Sequence, residues 1–146
     1  MILYLDTSAL VKRYIVESGT AGVNDLIQEA EIIGSSVLTQ IEMAAAIGKA
    51  VRMKWVDQQE AVTAYGDFLS QWGSITRLSL TPVLVERASR IAWDYGLRGY
   101  DATHLTSALI WQETIEASVT MVTLDRELWH GAKKAGLVTW PEKLPG

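Results

Sequence analysis

The sequence predicts an α/β fold: one three-layer α/β/α domain over 1–146, with a mostly parallel sheet and a protruding helical hairpin. Three observations predict it. Short apolar runs of strand length alternate with stretches of helical periodicity. No two strand runs are joined by a two-residue hairpin turn, which leaves parallel pairing through helical crossovers, with helices on both faces of the sheet. Finally, 146 residues with 49% hydrophobic content suit a single core, and no repeat, low-complexity tract or linker divides the chain.

The elements follow in order. "ILYL" reads as a buried strand, followed by a short helical stretch containing Ala9, Leu10 and Val11. "SGTAGVNDLIQEA" is a second helical stretch, and a brief strand centres on Ile32 and Ile33. Two long helices are expected over about 38–54 and 57–72, the second carrying Ala61, Tyr65, Phe68, Leu69 and Trp72 at spacings of three or four. They form the hairpin. "ITRLSL" alternates as a strand, and Thr81 before Pro82 is a helix start, because proline lacks an amide that the first helical position does not need. The stripe Leu84, Ala88, Ile91, Ala92 and Tyr95 closes at Gly96. A further helix begins near Tyr100, "VTMVTL" is a buried strand, "DRELWHGAKKAG" a helix, and "LVTW" an edge strand before a loose tail, "PEKLPG".

In open parallel sheets the functional crevice lies beyond the carboxyl ends of the strands. Asp6 and Asp125 follow strands directly; Glu42, in "SSVLTQIEMAAA", and Asp101, in "LRGYDATHLTSAL", sit near helix starts. Singly, each has an ordinary structural reading. Asp6 or Thr7, Asp101 and Asp125 are candidate N-caps, and Thr39 with Glu42 matches a T-x-x-E capping box. Jointly they pose an electrostatic problem. Repulsion of about 4 kcal/mol per close pair, at an effective dielectric of about 20, exceeds the roughly 0.3 to 1 kcal/mol that a helix N-terminus returns. If the four lie within several ångströms of one another, a cation is therefore required. With no cysteine and histidines only at 104 and 130, the ligands are hard oxygens, favouring Mg²⁺ or Mn²⁺ over zinc. Such a centre suits phosphodiester hydrolysis by activated water.

Composition excludes several alternatives. The absence of cysteine leaves no disulfide framework, and no apolar run is long enough for a membrane span or is preceded by a basic leader; a cytoplasmic setting without membrane association is expected. The net charge of −4 means that any polyanion must be met by a local basic patch. Neither a G-x-G-x-x-G nor a phosphate-loop motif follows a strand. Haloacid-dehalogenase-like phosphatases carry an aspartate two positions after the first, where this chain has Ser8; receiver domains need a late lysine after a strand, whereas Lys133 and Lys134 fall in a helix.

Four segments, "LYLDTSALVKRY", "SSVLTQIEMAAAI", "GYDATHLTSAL" and "VTLDRELWHGAKKAGL", resemble those of PIN-domain ribonucleases in order and spacing, and within that family the VapC-type toxins of bacterial and archaeal toxin–antitoxin pairs. The resemblance spans nearly the whole chain. It implies a PIN-like doubly wound sheet, metal-dependent endonucleolytic cleavage of RNA, a homodimer, and inhibition by a cognate antitoxin lying across the active-site groove. By position, Asp6, Glu42 and Asp101 match the three acids of the family's metal site and Asp125 the fourth. Asp6 and Asp101 are assigned as direct ligands, Glu42 as a ligand directly or through water, and Asp125 as support behind them. Thr7, Ser8 and Thr123 are assigned hydrogen bonds to Asp6 or to a water on the ion; helix capping and strand-end satisfaction are the alternatives for these hydroxyls.

Lys12, Arg13, Lys49, Arg52, Lys54 and Arg98 are candidates for a basic rim that holds RNA phosphates; simple solvation of the surface is the competing reading. His104, one turn beyond Asp101, is expected to be a hydrogen-bonded histidine rather than a general base. Of six tryptophans, Trp55 and Trp72, with Met43 and Met53 nearby, are candidates for an antitoxin-accepting groove. Two rival functions stay open at this point: a PIN-like RNA- or protein-binding module whose acids serve only as caps, and a phosphatase-type phosphoryl hydrolase on a similar fold.

Overall fold

A computed structural model describes residues 1–16 and 19–144. The first strand, β1 (Ile2–Leu5), leads into α1 (Thr7–Tyr14) and α2 (Thr20–Glu29), and β2 (Ile32–Ser36) into α3 (Leu38–Arg52) and α4 (Gln58–Trp72). Then come β3 (Thr76–Leu78), α5 (Pro82–Tyr95), α6 (Gly99–Ile115), β4 (Val119–Val122), α7 (Arg126–Lys134) and β5 (Val138–Trp140). Ser18, which heads the expected second helical stretch, and Pro145 and Gly146 of the expected loose tail lie outside the described residues. Of the tail, Pro141 is tied: its carbonyl accepts a 2.7 Å hydrogen bond from Trp129 Nε1.

All strand pairings are parallel, in the order β3-β2-β1-β4-β5. The chain moves outward from β1 through β2 to β3, then returns across the sheet to β4 and moves the other way. The order therefore reverses beside β1, and β1 and β4 flank the switch point where α/β sheets bind ligands. Register aligns Leu5 with Val122, so both strands end level. The Asp6 N–H continues the ladder to the Val122 carbonyl at 3.2 Å. The residue after the central strand is thus held at the floor of the crevice.

Strand period divides the core. Leu3 and Leu5 point into a layer with Ala9, Leu10, Met43, Ile47 and Phe68, while Tyr4 points the other way, toward Leu105, Met121 and Leu128. Helices α1 to α4 cover the first face and α5 to α7 the second, giving three layers. The hairpin forms from α3 and α4 as expected; the inner face of α4 rests on α1 through Phe68 against Tyr14. Helix α6 is buried around most of its circumference, from Asp101 to Trp111, because the sheet, α5 and α7 surround it.

Several boundaries follow their local signals. Thr81 caps α5 by accepting from the Leu84 N–H, Pro82 occupies the first turn, and Gly96 ends the helix at φ 65°, a left-handed conformation glycine adopts without a Cβ penalty. Asp57 caps α4 by accepting from the Glu60 N–H at 2.7 Å. The capping box does not form. Helix α3 starts at Leu38, whose N–H is taken by Ser36 Oγ, and Thr39 is buried one turn above Ser35, with the two hydroxyls 2.7 Å apart. Glu42 is left without a capping role.

Gly34 in β2 has a steric reason. A Cβ built there falls 2.6 Å from two ring atoms of Trp111, so the α6 indole lies directly on the strand backbone. Gly34→Ala is therefore expected to lower unfolding free energy by about 1 to 3 kcal/mol, read by urea denaturation, with Trp111→Leu in the same chain recovering part of the loss.

Candidate active site

The carboxyl end of β1 gathers the polar side chains that the core excludes. Asp6 caps α1: its Oδ1 accepts the Ala9 N–H at 3.0 Å and its backbone is extended. Capping does not exhaust it. Ser8 Oγ lies 2.8 and 2.9 Å from its two oxygens, and Thr123 Oγ1 donates to Oδ2 at 2.7 Å. The residue is only 3% exposed. The hydrogen bonds it accepts come from two hydroxyls and one amide, all neutral. Burial raises its pKa above the usual carboxylate range, against the opposing pull of His104 and these hydrogen bonds.

Thr123, just beyond β4, links two acids. It donates to Asp6, and its oxygen accepts the Asp125 N–H at 3.1 Å. Asp125 caps α7 through Oδ1, which accepts from the Leu128 N–H at 3.0 Å, leaving Oδ2 facing the crevice. Ser8 also takes the Leu124 N–H at 3.1 Å, stitching the two strand ends together.

Glu42 enters from the first turns of α3. Its Oε1 accepts from Thr7 Oγ1 at 2.8 Å and lies 2.6 Å from His104 Nε2. His104 Nδ1 is 2.7 Å from the Tyr4 hydroxyl. An ionised carboxylate can only accept, so Nε2 carries the proton, and in the neutral ring Nδ1 accepts from Tyr4. Burial pushes the Glu42 pKa up, but the His104 hydrogen bond and charge, Thr7 and the Arg98 charge outweigh it and the net shift is downward. His104 is itself buried and hydrogen-bonded at both ring nitrogens, as the sequence suggested. Tyr4 is a site residue that the sequence reading missed.

Asp101 lies in the first turn of α6, but Arg98 occupies the N-cap position and makes no side-chain cap, so Asp101 does not cap its own helix. Its Oδ2 accepts from Arg98 Nε at 2.9 Å, and Arg98 Nη2 donates to Asp125 Oδ2 at 2.7 Å. One guanidinium thus bridges two of the acids. Burial raises the Asp101 pKa, the Arg98 hydrogen bond opposes this, and the Asp125 charge adds to the rise.

All four acids therefore belong to one connected network: Asp6 to Asp125 through Thr123, Asp125 to Asp101 through Arg98, and Asp101 to Glu42 through the helix turn carrying His104. Among the described residues, no three His, Cys, Asp or Glu side chains already close on a common point as a ligand cage. The donors are nonetheless hard oxygens, and the arginine between Asp101 and Asp125 stands where positive charge is needed.

The basic and aromatic expectations divide. Arg98 lies on the acids themselves, and Arg13 Nε is held by Gln71 Oε1 at 3.1 Å on the α4 side. Lys49 sits with its ammonium 6.0 Å from the Trp55 ring centroid, and Arg52 lines the groove between α3 and α4. Trp55 and Met53 are exposed, whereas Met43 is fully buried and Trp72 packs on Phe68 while donating to Gln40. Met43 and Trp72 therefore belong to the core, not to a docking groove.

Asp6 titrates against the fold. Because its folded pKa is raised, the native state holds the proton more tightly, and its share of stability is lost as pH rises from the unfolded value near 3.8 through the raised one. In EDTA, the thermal midpoint of Asp6→Asn relative to wild type is expected to grow more favourable as pH rises from 4 to 7. A constant difference across that range would contradict the burden assigned to this carboxylate.

The PIN domain family model matches residues 3–134. Ribonuclease VapC45 of Mycobacterium tuberculosis (strain CDC 1551 / Oshkosh) is 31% identical over 143 residues, covering 98% of this chain and 97% of that protein. Among solved structures, PAE2754 from Pyrobaculum aerophilum superposes with TM-score 0.65 at 27% identity, covering 95% of this chain and 83% of that one. A toxin–antitoxin complex from Klebsiella pneumoniae contains a chain of the same fold, TM-score 0.67 at 13% identity, covering 98% and 99% of the respective chains. The chain belongs to the PIN-domain family, in its VapC branch.

Proposed function

We propose that this protein is a divalent-metal-dependent endoribonuclease and the toxin of a toxin–antitoxin pair, working in the cytoplasm as a homodimer. The observation that carries the reading is the convergence of Asp6, Glu42, Asp101 and Asp125 on the crevice at the switch point, with Asp6 buried among neutral donors. Kinship with a protein named as a ribonuclease and a fold shared with a toxin–antitoxin complex support the same reading. Among the described residues no helix is long and apolar enough to cross a membrane.

An all-carboxylate donor set fits Mg²⁺ or Mn²⁺. Asp6 and Asp101 would hold the ion directly and Glu42 directly or through water, with Asp125 supporting from behind. When bound, the ion supplies a Lewis acid that makes water nucleophilic at neutral pH and offsets charge on the phosphodiester. The protein's own groups supply orientation. Ser8 and Thr123 fix both oxygens of Asp6, and Thr7 with His104 fixes Glu42, the imidazole being braced in turn by Tyr4. These hydrogen bonds restrain the Asp6 and Glu42 carboxylates before an ion arrives.

RNA would enter over the α3 side. Lys49 lies two turns beyond Glu42 on α3, Arg52 follows, and Lys12 sits in the last turn of α1, six residues after Asp6; these supply phosphate contacts without reading sequence. The antitoxin would dock beside them. A groove of about 280 Å³ is lined by Val11, Ile15, Ala46, Ala50, Trp55 and Val56, apolar except for Lys49 at its edge, and it suits an apolar anchor residue of a partner peptide.

Two experiments test this. Asp6→Asn is expected to reduce EDTA-sensitive RNA cleavage at least about a thousandfold while circular dichroism stays unchanged, and Mg²⁺ should raise the thermal midpoint of wild type only. Equal EDTA-sensitive cleavage by mutant and wild type would remove Asp6 from the chemistry, and absence of cleavage by wild type would leave a binding module in place of a nuclease. Trp55→Ala should weaken antitoxin affinity about tenfold or more without lowering thermal stability, because the ring is exposed in the free chain. Unchanged affinity would move the partner to another face.

A further inference from the structure

Arg98 is held in an unusual position for a side chain next to a proposed metal centre. Its fork donates from Nε to Asp101 Oδ2 at 2.9 Å and from Nη2 to Asp125 Oδ2 at 2.7 Å. The Oδ1 atom of Asp125 is already committed to the Leu128 N–H, so the guanidinium takes the oxygen that faces the crevice. Two carboxylates on different elements are thereby neutralised by one cation from the chain itself. A guanidinium on these oxygens repels a divalent ion and competes with it for their lone pairs, which weakens binding of the ion.

We propose that Arg98 is a built-in counter-cation that competes with the metal ion for Asp101 and Asp125, so that an ion binds only as the guanidinium leaves at least one of them. The proposal rests on the metal reading above and deepens it by naming a residue that governs the site's affinity.

Exposure identifies the moving part. The Arg98 side chain is 68% exposed, against 11% for Asp101 and 25% for Asp125. Its backbone is extended, at φ −63° and ψ 155°, outside the regular turns of α6. Rotation about the side-chain bonds alone carries the guanidinium into solvent, leaving α6 and both acids in place. Among the described residues no closed ligand cage is present, and one oxygen each of Asp101 and Asp125 accepts from the arginine. In the metal-free protein Arg98 relieves the repulsion between these acids, and on metal binding the ion takes over that task. Once released, the fork remains at the rim of the crevice, where it can take a phosphate oxygen in place of a carboxylate.

The test is a Mn²⁺ titration followed by the electron paramagnetic resonance signal of the free ion, which reads binding without turnover. Wild type, Arg98→Gln and Arg98→Lys are compared, with Asp6→Asn as the control that removes a ligand. Arg98→Gln is expected to bind Mn²⁺ about tenfold more tightly than wild type. Arg98→Lys, which keeps the charge but loses the fork, should fall between them and gives the same reading should the glutamine variant fail to fold. In EDTA the glutamine variant should also unfold at a lower temperature, because the two acids lose their shared cation. Equal or weaker Mn²⁺ binding by the variants, with wild type binding normally, would overturn the competition and leave the metal reading standing. Failure of wild type and both Arg98 variants to bind Mn²⁺ at millimolar concentration would overturn the metal reading and this proposal with it.

Discussion

A carboxylate buried at the end of the central strand is the constraint around which the rest of the structure is arranged. Asp6 follows β1, its amide extends the ladder to β4, and its position between these strands is fixed by the register that ends both at the same level. A charge removed from water in this way is tolerated only when hydrogen bonds and cations replace the solvent. The chain supplies the hydrogen bonds from Ser8, Thr123 and the first turn of α1. The hydrogen bonds recorded to Asp6 among the described residues come from neutral donors, and the nearby arginine is directed at Asp101 and Asp125. Burial and ionisation thus set opposite demands on one side chain, which a cation bound as proposed would reconcile.

The other three carboxylates show the alternative solution. Glu42 receives a neutral donor, Thr7, and a histidine braced by Tyr4, and its pKa falls despite burial. Asp101 and Asp125 receive Arg98. The helices matter chiefly as carriers: α1 and α7 present capped aspartates, α3 brings Glu42 inward, and α6 carries both Asp101 and His104 one turn apart. Because α6 is packed on the sheet, with Trp111 on the bare backbone of Gly34, the positions of Asp101 and His104 inherit the rigidity of the core.

Much of this was written in the linear pattern. Apolar runs that stop at an acid, without hairpin turns between them, imply parallel strands whose carboxyl ends share one edge, and that alone brings Asp6 and Asp125 together. Glu42 and Asp101 were visible because helix starts in such folds lie at the same edge. What failed was the assignment of partners. Thr39 with Glu42 has the spacing of a capping box, but helix α3 begins at Leu38, and burial turns Thr39 toward Ser35 instead. Arg98 reads as one more surface cation because its pairing with Asp125 joins residues 27 positions apart through the fold. Tyr4 carried no signal at all: within "ILYL" it is one apolar position among four, and only the alternation of strand faces directs its hydroxyl to His104. Met43 and Trp72 were misplaced for a plainer reason. Trp72 belongs to the helical stripe that contains Phe68, and such a stripe marks the core before it marks a groove.

Crystals grown without divalent ions and soaked in Mn²⁺, with diffraction recorded near the manganese edge, test the central claim most directly. An anomalous peak is expected in the crevice at about 2.1 Å from carboxylate oxygens of Asp6 and Asp101. A crevice without such a peak at saturating Mn²⁺, with Asp6 still enclosed only by Ser8, Thr123 and the Ala9 amide, would contradict the claim.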